Sequence, residues 1–86
     1  MPLYLRLLMV SGPPGEVDAA AKRHAEQFDR LRADGKLRLS GTFVNGDGYF
    51  EILEVKDRHE AEQLTRECPL VERGLASVVL REFEQD

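Results

Sequence analysis

Residues 57–71, DRHEAEQLTRECPLV, and residues 17–35, VDAAAKRHAEQFDRLRADG, predict the two helices that organise this chain. In the longer stretch, apolar residues and one histidine recur at steps of four, three, four and three: Val17, Ala21, His24, Phe28 and Leu31. This spacing places them on one face of a helix, and charged residues fill most of the remaining faces. The spacing therefore predicts that the imidazole of His24 points inward.

The ends of both helices carry recognisable signals. Gly35 is a natural end for the longer helix. Asp57 and Glu60 form a capping box that starts the second helix. Pro69 is predicted to end it, because the residue before a proline disfavours helical geometry. The predicted inward stripe of this second helix consists of Ala61, Leu64 and Cys68.

Alternating apolar residues predict four strands, over residues 3–10, 36–44, 49–55 and 75–83. Residues 45–48, Asn-Gly-Asp-Gly, predict a hairpin turn between the second and third strands, because these residues tolerate positive φ angles. Leu37 and Leu39 are assigned to the same face of the second strand. Gly41, inside that strand, indicates either a bulge or a close approach by another group.

The order of strand, helix, strand, strand, helix, strand predicts an α+β fold of the ferredoxin-like βαββαβ type. It has a four-stranded antiparallel sheet with both helices on one face, and residues 1–86 form a single domain. The other face of the sheet would then be bare. Because the strands carry apolar residues on both faces, we predict that this open sheet face forms a homodimer.

Composition excludes several classes of function. The 86 residues have a net charge of −4, which argues against a nucleic-acid binder. The apolar N-terminal stretch is too short to span a membrane. One cysteine cannot form an internal disulfide, so a reducing, cytoplasmic location is expected. One Cys and two His do not make a four-ligand zinc pattern, and no cofactor motif is present; the turn at 45–48 lacks the helix and Lys of a phosphate-binding loop.

Two residues are candidates for catalysis, each with two interpretations. His24 is either a general acid or base, since its ordinary pKa is near neutrality, or a buried histidine hydrogen-bonded to the backbone. Cys68 is either a small core residue or a nucleophile activated by His24. Its expected position at a helix C-terminus predicts a raised thiol pKa, because that end of the helix dipole is negative.

Other polar residues of the strands are candidates for ligand binding, with interface or solvent contacts as the alternative. They are Arg6, Ser40, Thr42 and Tyr49. Together with His24 and Cys68, the last three are predicted to line a pocket between sheet and helices. Glu51 and Glu54 do not share a strand face, so they are not predicted to form a paired-carboxylate site.

The chain resembles the YCII-related (YciI-like) family of small dimeric α+β barrel proteins over nearly all its length. The resemblance rests on the order of LYLRLLMV, AKRHAEQFDRL, GKLRLSGTF, GYFEILEV, HEAEQLTRECPLV and ERGLASVVLREF. It implies a homodimer of ferredoxin-like protomers with pockets between sheet and helices. It also implies an active site in which a histidine of the first helix pairs with an aspartate that precedes a proline. His24 matches the histidine, whereas Cys68 stands at the aspartate position.

Two functions follow from this resemblance. The first is an enzyme that acts on a small molecule with His24 as its acid or base. The second is a non-catalytic domain that binds a small molecule or assembles copies of itself.

Overall fold

A computed structural model describes residues 1–86, which form four strands and three helices. In chain order these are β1 (Leu3–Val10), α1 (Pro14–Ala33), β2 (Leu37–Thr42), β3 (Gly48–Glu54), α2 (Arg58–Arg66), α3 (Pro69–Glu72) and β4 (Ala76–Phe83). No helix is both long and apolar enough to cross a membrane.

The four strands form one antiparallel sheet in the order β2-β3-β1-β4. β1 lies in the interior of the sheet and pairs with β3 on one side and with β4 on the other. This order follows from two crossover connections, each of which carries its helix to the same face of the sheet. The predicted α+β, ferredoxin-like βαββαβ fold is therefore confirmed.

The core between sheet and helices consists of two apolar clusters. One is built on Tyr4 of β1, and the other is built on Leu8 of the same strand. Arg6 lies between these two residues and shares their inward face, because side chains two apart on a strand point the same way. The middle of the core is thus polar, and this is where the candidate site lies.

Both helical regions differ in their bounds from the prediction. α1 begins at Pro14, three residues before Val17, because proline suits the first turn of a helix. Asp57 caps α2, accepting a hydrogen bond from the backbone N–H of Glu60 at 2.9 Å, as predicted. The second helix ends before Pro69 and Cys68 is extended, as predicted, but Pro69 also has a role that was not predicted. α2 already ends at Arg66, and Pro69 opens the short helix α3.

The irregularity in β2 lies earlier than Gly41. The register of β2 on β3 shifts between Leu37 and Leu39, so that these residues do not share a face. Leu37 is buried against the core, whereas Leu39 is 53% exposed on the opposite side. The close approach predicted at Gly41 is confirmed, because a Cβ atom there would overlap the ring of Phe50.

The sheet face opposite the helices is apolar and uncovered within the protomer. Met9, Leu39 and Val79 are 42%, 53% and 47% exposed there. The strand register adds further members to this face: Leu3, Leu5, Leu7, Phe50, Ile52 and Phe83. We refer to these nine residues as the open sheet face.

Candidate functional site

His24 lies on the inner face of α1 and is 2% exposed, as the helical spacing predicted. Its Nε2 atom lies 3.0 Å from Oε2 of Glu51, at the middle of β3. Its Nδ1 atom lies 3.2 Å from Sγ of Cys68. The imidazole therefore has a side-chain partner at both nitrogens, and neither partner is a backbone group.

Glu51 is the residue that sequence reasoning missed. It is fully buried, and its second carboxylate oxygen accepts a hydrogen bond from Nε of Arg6, which is also fully buried. Arg6 and Glu51 are direct cross-strand neighbours on β1 and β3. The available signal was the presence of opposite charges on the inward faces of two otherwise apolar strands, because buried charges are normally paired.

Cys68 is fully buried in the loop that joins α2 to α3. The predicted rise in its pKa is wrong. Burial is the largest influence and acts to raise the thiol pKa, but the hydrogen bond from His24, the positive charge of His24 and that of Arg6 together lower it. The helix-dipole argument does not apply, because α2 ends before Cys68 and the residue immediately precedes α3.

The pKa of His24 is raised from 6.5 to about 9. Burial is again the largest influence, and it favours the neutral ring. The hydrogen bonds and negative charges of Cys68 and Glu51 outweigh it. The four side chains form one continuous path: the guanidinium of Arg6, the carboxyl group of Glu51, the imidazole of His24 and the sulfur of Cys68. We call these four residues the buried relay.

A fifth buried polar residue, Gln27, lies beside the buried relay. Its Nε2 donates to the backbone carbonyl of Leu64 at 3.0 Å, and Nη1 of Arg6 reaches the same oxygen at 3.4 Å. Nη2 of Arg6 and Oε1 of Gln27 are buried without a hydrogen-bond partner in the protomer. One buried donor and one buried acceptor are thus available to a polar ligand.

Two aromatic rings lie against the imidazole. The ring centroid of Phe28 is 4.1 Å and that of Tyr49 is 5.2 Å from that of His24. Both rings are partly exposed. Ser40 pairs with Glu51 and Thr42 with Tyr49 in the strand register, so both lie beside the site on β2. Ser40 accepts a hydrogen bond from Nη2 of Arg32 at 3.0 Å, and Thr42 is exposed.

The predicted pocket is not formed in the protomer. The structure has three cavities, and none of them is lined by His24, Cys68, Ser40, Thr42 or Tyr49. The cavities of about 510 and 380 Å³ are bordered by residues of the open sheet face, and the third, of about 310 Å³, lies between α2 and β4. Arg6, expected to bind a ligand from a pocket wall, is instead fully buried and paired with Glu51.

The donor atoms of the buried relay do not converge on one point. Glu51 and Cys68 bind opposite nitrogens of the imidazole, so the ring separates them. A metal ion needs several donors directed at a common centre. This geometry is suited to moving a proton along a line and not to enclosing an ion.

The fold and the buried relay together define a ferredoxin-like α+β domain with a histidine fixed at its centre. The sequence matches the YCII-related domain over residues 6–84, and the chain belongs to that family. In this chain Cys68 lies on one side of His24, and Glu51 supplies a carboxyl group from the sheet on the other.

One sequence relative supports the family assignment, and one solved structure supports the fold. The uncharacterized protein YjpA of Bacillus subtilis (strain 168) is 30% identical over 61 residues, which cover 71% of this chain and 72% of YjpA. The solved structure of 5-chloro-2-hydroxyhydroquinone dehydrochlorinase (TftG) from Burkholderia phenoliruptrix AC1100, in complex with 2,5-dihydroxybenzoquinone, superposes with a TM-score of 0.75. It is 17% identical, with 98% of this chain and 95% of that chain covered, and the likeness is one of fold.

Proposed function

We propose that this protein is a homodimeric enzyme that transfers a proton to or from a small organic molecule, with His24 as the acid–base group. The observation that carries the proposal is the position of His24 between Glu51 and Cys68 in the buried relay. A group that is only packed in a core needs one hydrogen bond, whereas here the ring is oriented and charge-balanced on both sides.

The protonation state favours the role of a general acid. With its pKa raised to about 9, chiefly by Cys68 and Glu51 against the opposing effect of burial, His24 holds its proton at pH 7. Glu51 fixes the Nε2 side, and Arg6 in turn holds Glu51. The Nδ1 side has only a sulfur atom as partner, and sulfur is a weak acceptor that a substrate oxygen can replace.

Access to His24 would come through its aromatic neighbours. Phe28 and Tyr49 are partly exposed and their rings lie against the imidazole, so rotation of these two side chains would open a path from the surface. Aromatic walls suit a planar ligand, and Ser40 and Thr42 on the adjacent strand supply hydroxyl groups. We therefore propose a small planar compound with hydroxyl or carbonyl groups as the substrate class.

A titration with 2,5-dihydroxybenzoquinone, the ligand bound by the TftG fold neighbour, tests this proposal. The chain has two histidines, so both imidazoles can be followed by NMR, with the exposed His59 as the internal reference. We expect a saturable change at His24 alone, and loss of binding in His24→Asn with the fold retained. Equal small changes at both histidines, or none up to millimolar ligand, would contradict the proposal.

The homodimer rests on the open sheet face. An apolar surface of nine residues on a small protomer is larger than a monomer in water normally exposes. A second copy, packed sheet to sheet, would cover it and leave both buried relays on the outer, helical sides. Cavities at the rim of this face would then lie at the interface between the two copies.

A second candidate function is a non-catalytic binding or assembly domain. The observation in its favour is that His24 is 2% exposed and lines none of the three cavities. In that case the buried relay only specifies the fold. His24→Ala discriminates between the two: a loss of thermal stability with unchanged ligand binding supports the structural role, and retained folding with lost binding or turnover supports the enzyme.

In either case we propose a cytoplasmic location, where the single thiol stays reduced.

A further inference from the structure

Cys68 lies at one end of the buried relay, and this position gives it a chemical role that the histidine cannot fill alone. Both nitrogens of His24 are occupied, Nε2 by Glu51 at 3.0 Å and Nδ1 by Cys68 at 3.2 Å. A nucleophile hydrogen-bonded to a base, which is itself oriented by a third group, is the arrangement used in covalent catalysis. Here Cys68, His24 and Glu51 stand in that order.

The charges along the buried relay support a reactive sulfur in a buried place. A lone thiolate would be strongly disfavoured in the core, but the imidazolium of His24 neutralises it directly. Glu51 is likewise paired with Arg6. His24 and Arg6 both act to lower the pKa of the thiol, although burial opposes them.

A separate observation indicates where an oxygen of the ligand would bind. Nη2 of Arg6 is fully buried and has no partner, and Oε1 of Gln27 is likewise unpartnered. Arg6 and Cys68 lie at the two ends of the buried relay, joined through Glu51 and His24. A free, buried guanidinium donor near a nucleophile is suited to an oxygen that gains negative charge during the reaction.

We propose that Cys68 is a covalent nucleophile toward small conjugated carbonyl compounds, such as enones and quinones. The proposal rests on the proposed function, because it gives His24 a reacting partner in the same site. The class of ligand is defined by two features: a soft carbon electrophile matches a thiolate, and a carbonyl oxygen matches the unpartnered donor of Arg6.

The step balances without an oxidant or a reductant. Sγ of Cys68 forms a bond to the β-carbon of the conjugated carbonyl, and the carbon–carbon π bond breaks. Its electron pair moves to the carbonyl oxygen, giving an enolate that Nη2 of Arg6 stabilises. Once sulfur is bonded to carbon it no longer accepts from Nδ1 of His24, so that proton passes to the enolate. The products are a thioether and a neutral imidazole, and the reverse sequence releases the ligand.

The first experiment uses the unmodified protein and N-ethylmaleimide, a small conjugated imide. Because the chain has one cysteine, intact mass gives the adduct without ambiguity. We expect a single adduct on the folded protein, with a rate constant that falls less steeply between pH 8 and pH 6 than that of an ordinary thiol, because the pKa of Cys68 is lowered by its contact with His24 although burial opposes this. An ordinary thiol slows about tenfold for each pH unit below its pKa. That tenfold dependence, or labelling only after unfolding in urea, would overturn the proposal.

A pair of variants tests the buried relay without relying on the pH profile. Glu51→Gln removes the charge that holds His24, and under conditions where circular dichroism shows this variant to be folded we expect labelling at pH 6 to slow at least tenfold. Glu54→Gln is the matched control, because Glu54 lies on the same strand but on the opposite face, paired with Arg38. We expect it to label at the rate of the original protein. Equal rates in both variants would also overturn the proposal.

Failure here is distinguishable from failure of the proposed function. The labelling test on the original protein could fail while 2,5-dihydroxybenzoquinone still has a saturable effect on His24 in Cys68→Ser. That result would leave the acid–base function in place and remove the nucleophile. Labelling as expected without any effect of that quinone on His24 would support the nucleophile and remove the proposed substrate class.

Discussion

Oε2 of Glu51 lies 3.0 Å from Nε2 of His24, so that a carboxylate from the middle of the sheet fixes the one histidine in the core. The same Glu51 accepts a hydrogen bond from Arg6 with its other oxygen. Glu51 is therefore the junction between the two strands that carry the pair and the helix that covers them. Most of the expected effects of mutation follow from this position.

Replacing Glu51 with Gln should strongly destabilise the fold. The change keeps the shape of the side chain but leaves the guanidinium of Arg6 buried without a counter-charge. Breaking a buried ion pair in this way costs about 3–5 kcal/mol. Urea denaturation at pH 7 measures the loss. Glu54→Gln provides the control, since Glu54 makes a half-exposed pair with Arg38 at 3.2 Å and such pairs contribute at most about 1 kcal/mol.

Removing both members of the buried pair should have a smaller effect than removing one. In Arg6→Met combined with Glu51→Leu, no buried charge is left behind from this pair, and replacements of this kind are often neutral or stabilising. A double variant as unstable as Glu51→Gln alone would contradict this account and would indicate that hydrogen bonds to His24 and Leu64 dominate.

The pH dependence of stability has a sign that can be derived for the Cys68–His24 pair. Protonation of His24 stabilises the fold below about pH 6.5, and this contribution is lost as the pH rises through about 9. Ionisation of Cys68 stabilises the fold above about pH 9, and this contribution is lost as the pH falls through the lowered pKa of the folded thiol. The two contributions therefore change in opposite directions as the pH rises.

We therefore expect the two contributions to offset each other in part, so that this pair adds little slope to the free energy of unfolding as the pH rises towards 9. In Cys68→Ser the compensating thiol is gone, so the stability of the original protein relative to the variant should grow as the pH rises. Denaturant unfolding at four pH values between about 6.5 and 9 measures both curves. Parallel curves would show that sulfur and imidazole are not electrically coupled.

Gly48→Ala should destabilise the hairpin between β2 and β3. A Cβ atom at this position would overlap the backbone carbonyl oxygen of Leu8, and a backbone atom in the sheet interior cannot move aside. Overpacking of this kind typically costs about 1–3 kcal/mol. Gly15→Ala is the matched control, because no atom lies within 4 Å of its added Cβ and alanine favours a helix. Thermal melting should rank Gly48→Ala lowest and Gly15→Ala at or above the original protein.

Val79→Glu should convert the proposed dimer into monomers while the protomer stays folded. Val79 is 47% exposed on the open sheet face, so a glutamate fits the protomer but would be buried unpaired against a second copy. Light scattering at micromolar concentration measures the mass. Arg23→Glu, on the exposed side of α1, adds a carboxylate away from this face and should remain dimeric. A monomer for the original protein would remove the dimer from the proposal.

The fold could be predicted from the sequence because its periodic signals are local. The alternation in β1 indicates a strand, and the spacing of His24 within α1 fixes which side chains of that helix point inward. The register shift of β2 on β3 could not be predicted. Leu37 and Leu39 are the same residue type and are two positions apart, which is also the spacing of neighbours on one face of a regular strand. Only the pairing with Leu53 and Ile52 shows that they face opposite sides.

The candidate site was only half predicted, for a different physical reason. His24 and Cys68 each belong to a helical stripe, so the sequence places them inward. Glu51 was set aside because it was compared with Glu54 along its own strand, whereas its partners lie across the sheet on β1 and above it on α1. The pairing of Glu51 with Arg6 depends on the register between β1 and β3, and the local sequence does not indicate that register.

The Arg6–Glu51 pair has a further consequence for how the sheet reaches its final alignment. Apolar side chains cover both faces of β1, so hydrophobic contact alone would tolerate a shift of that strand by one residue. Such a slip would turn Arg6 to the outer face and leave Glu51 without its cation. A sheet with shifted strands would therefore contain a buried charge without a partner, which costs free energy. The ion pair thus favours one strand register over others that bury similar apolar surface.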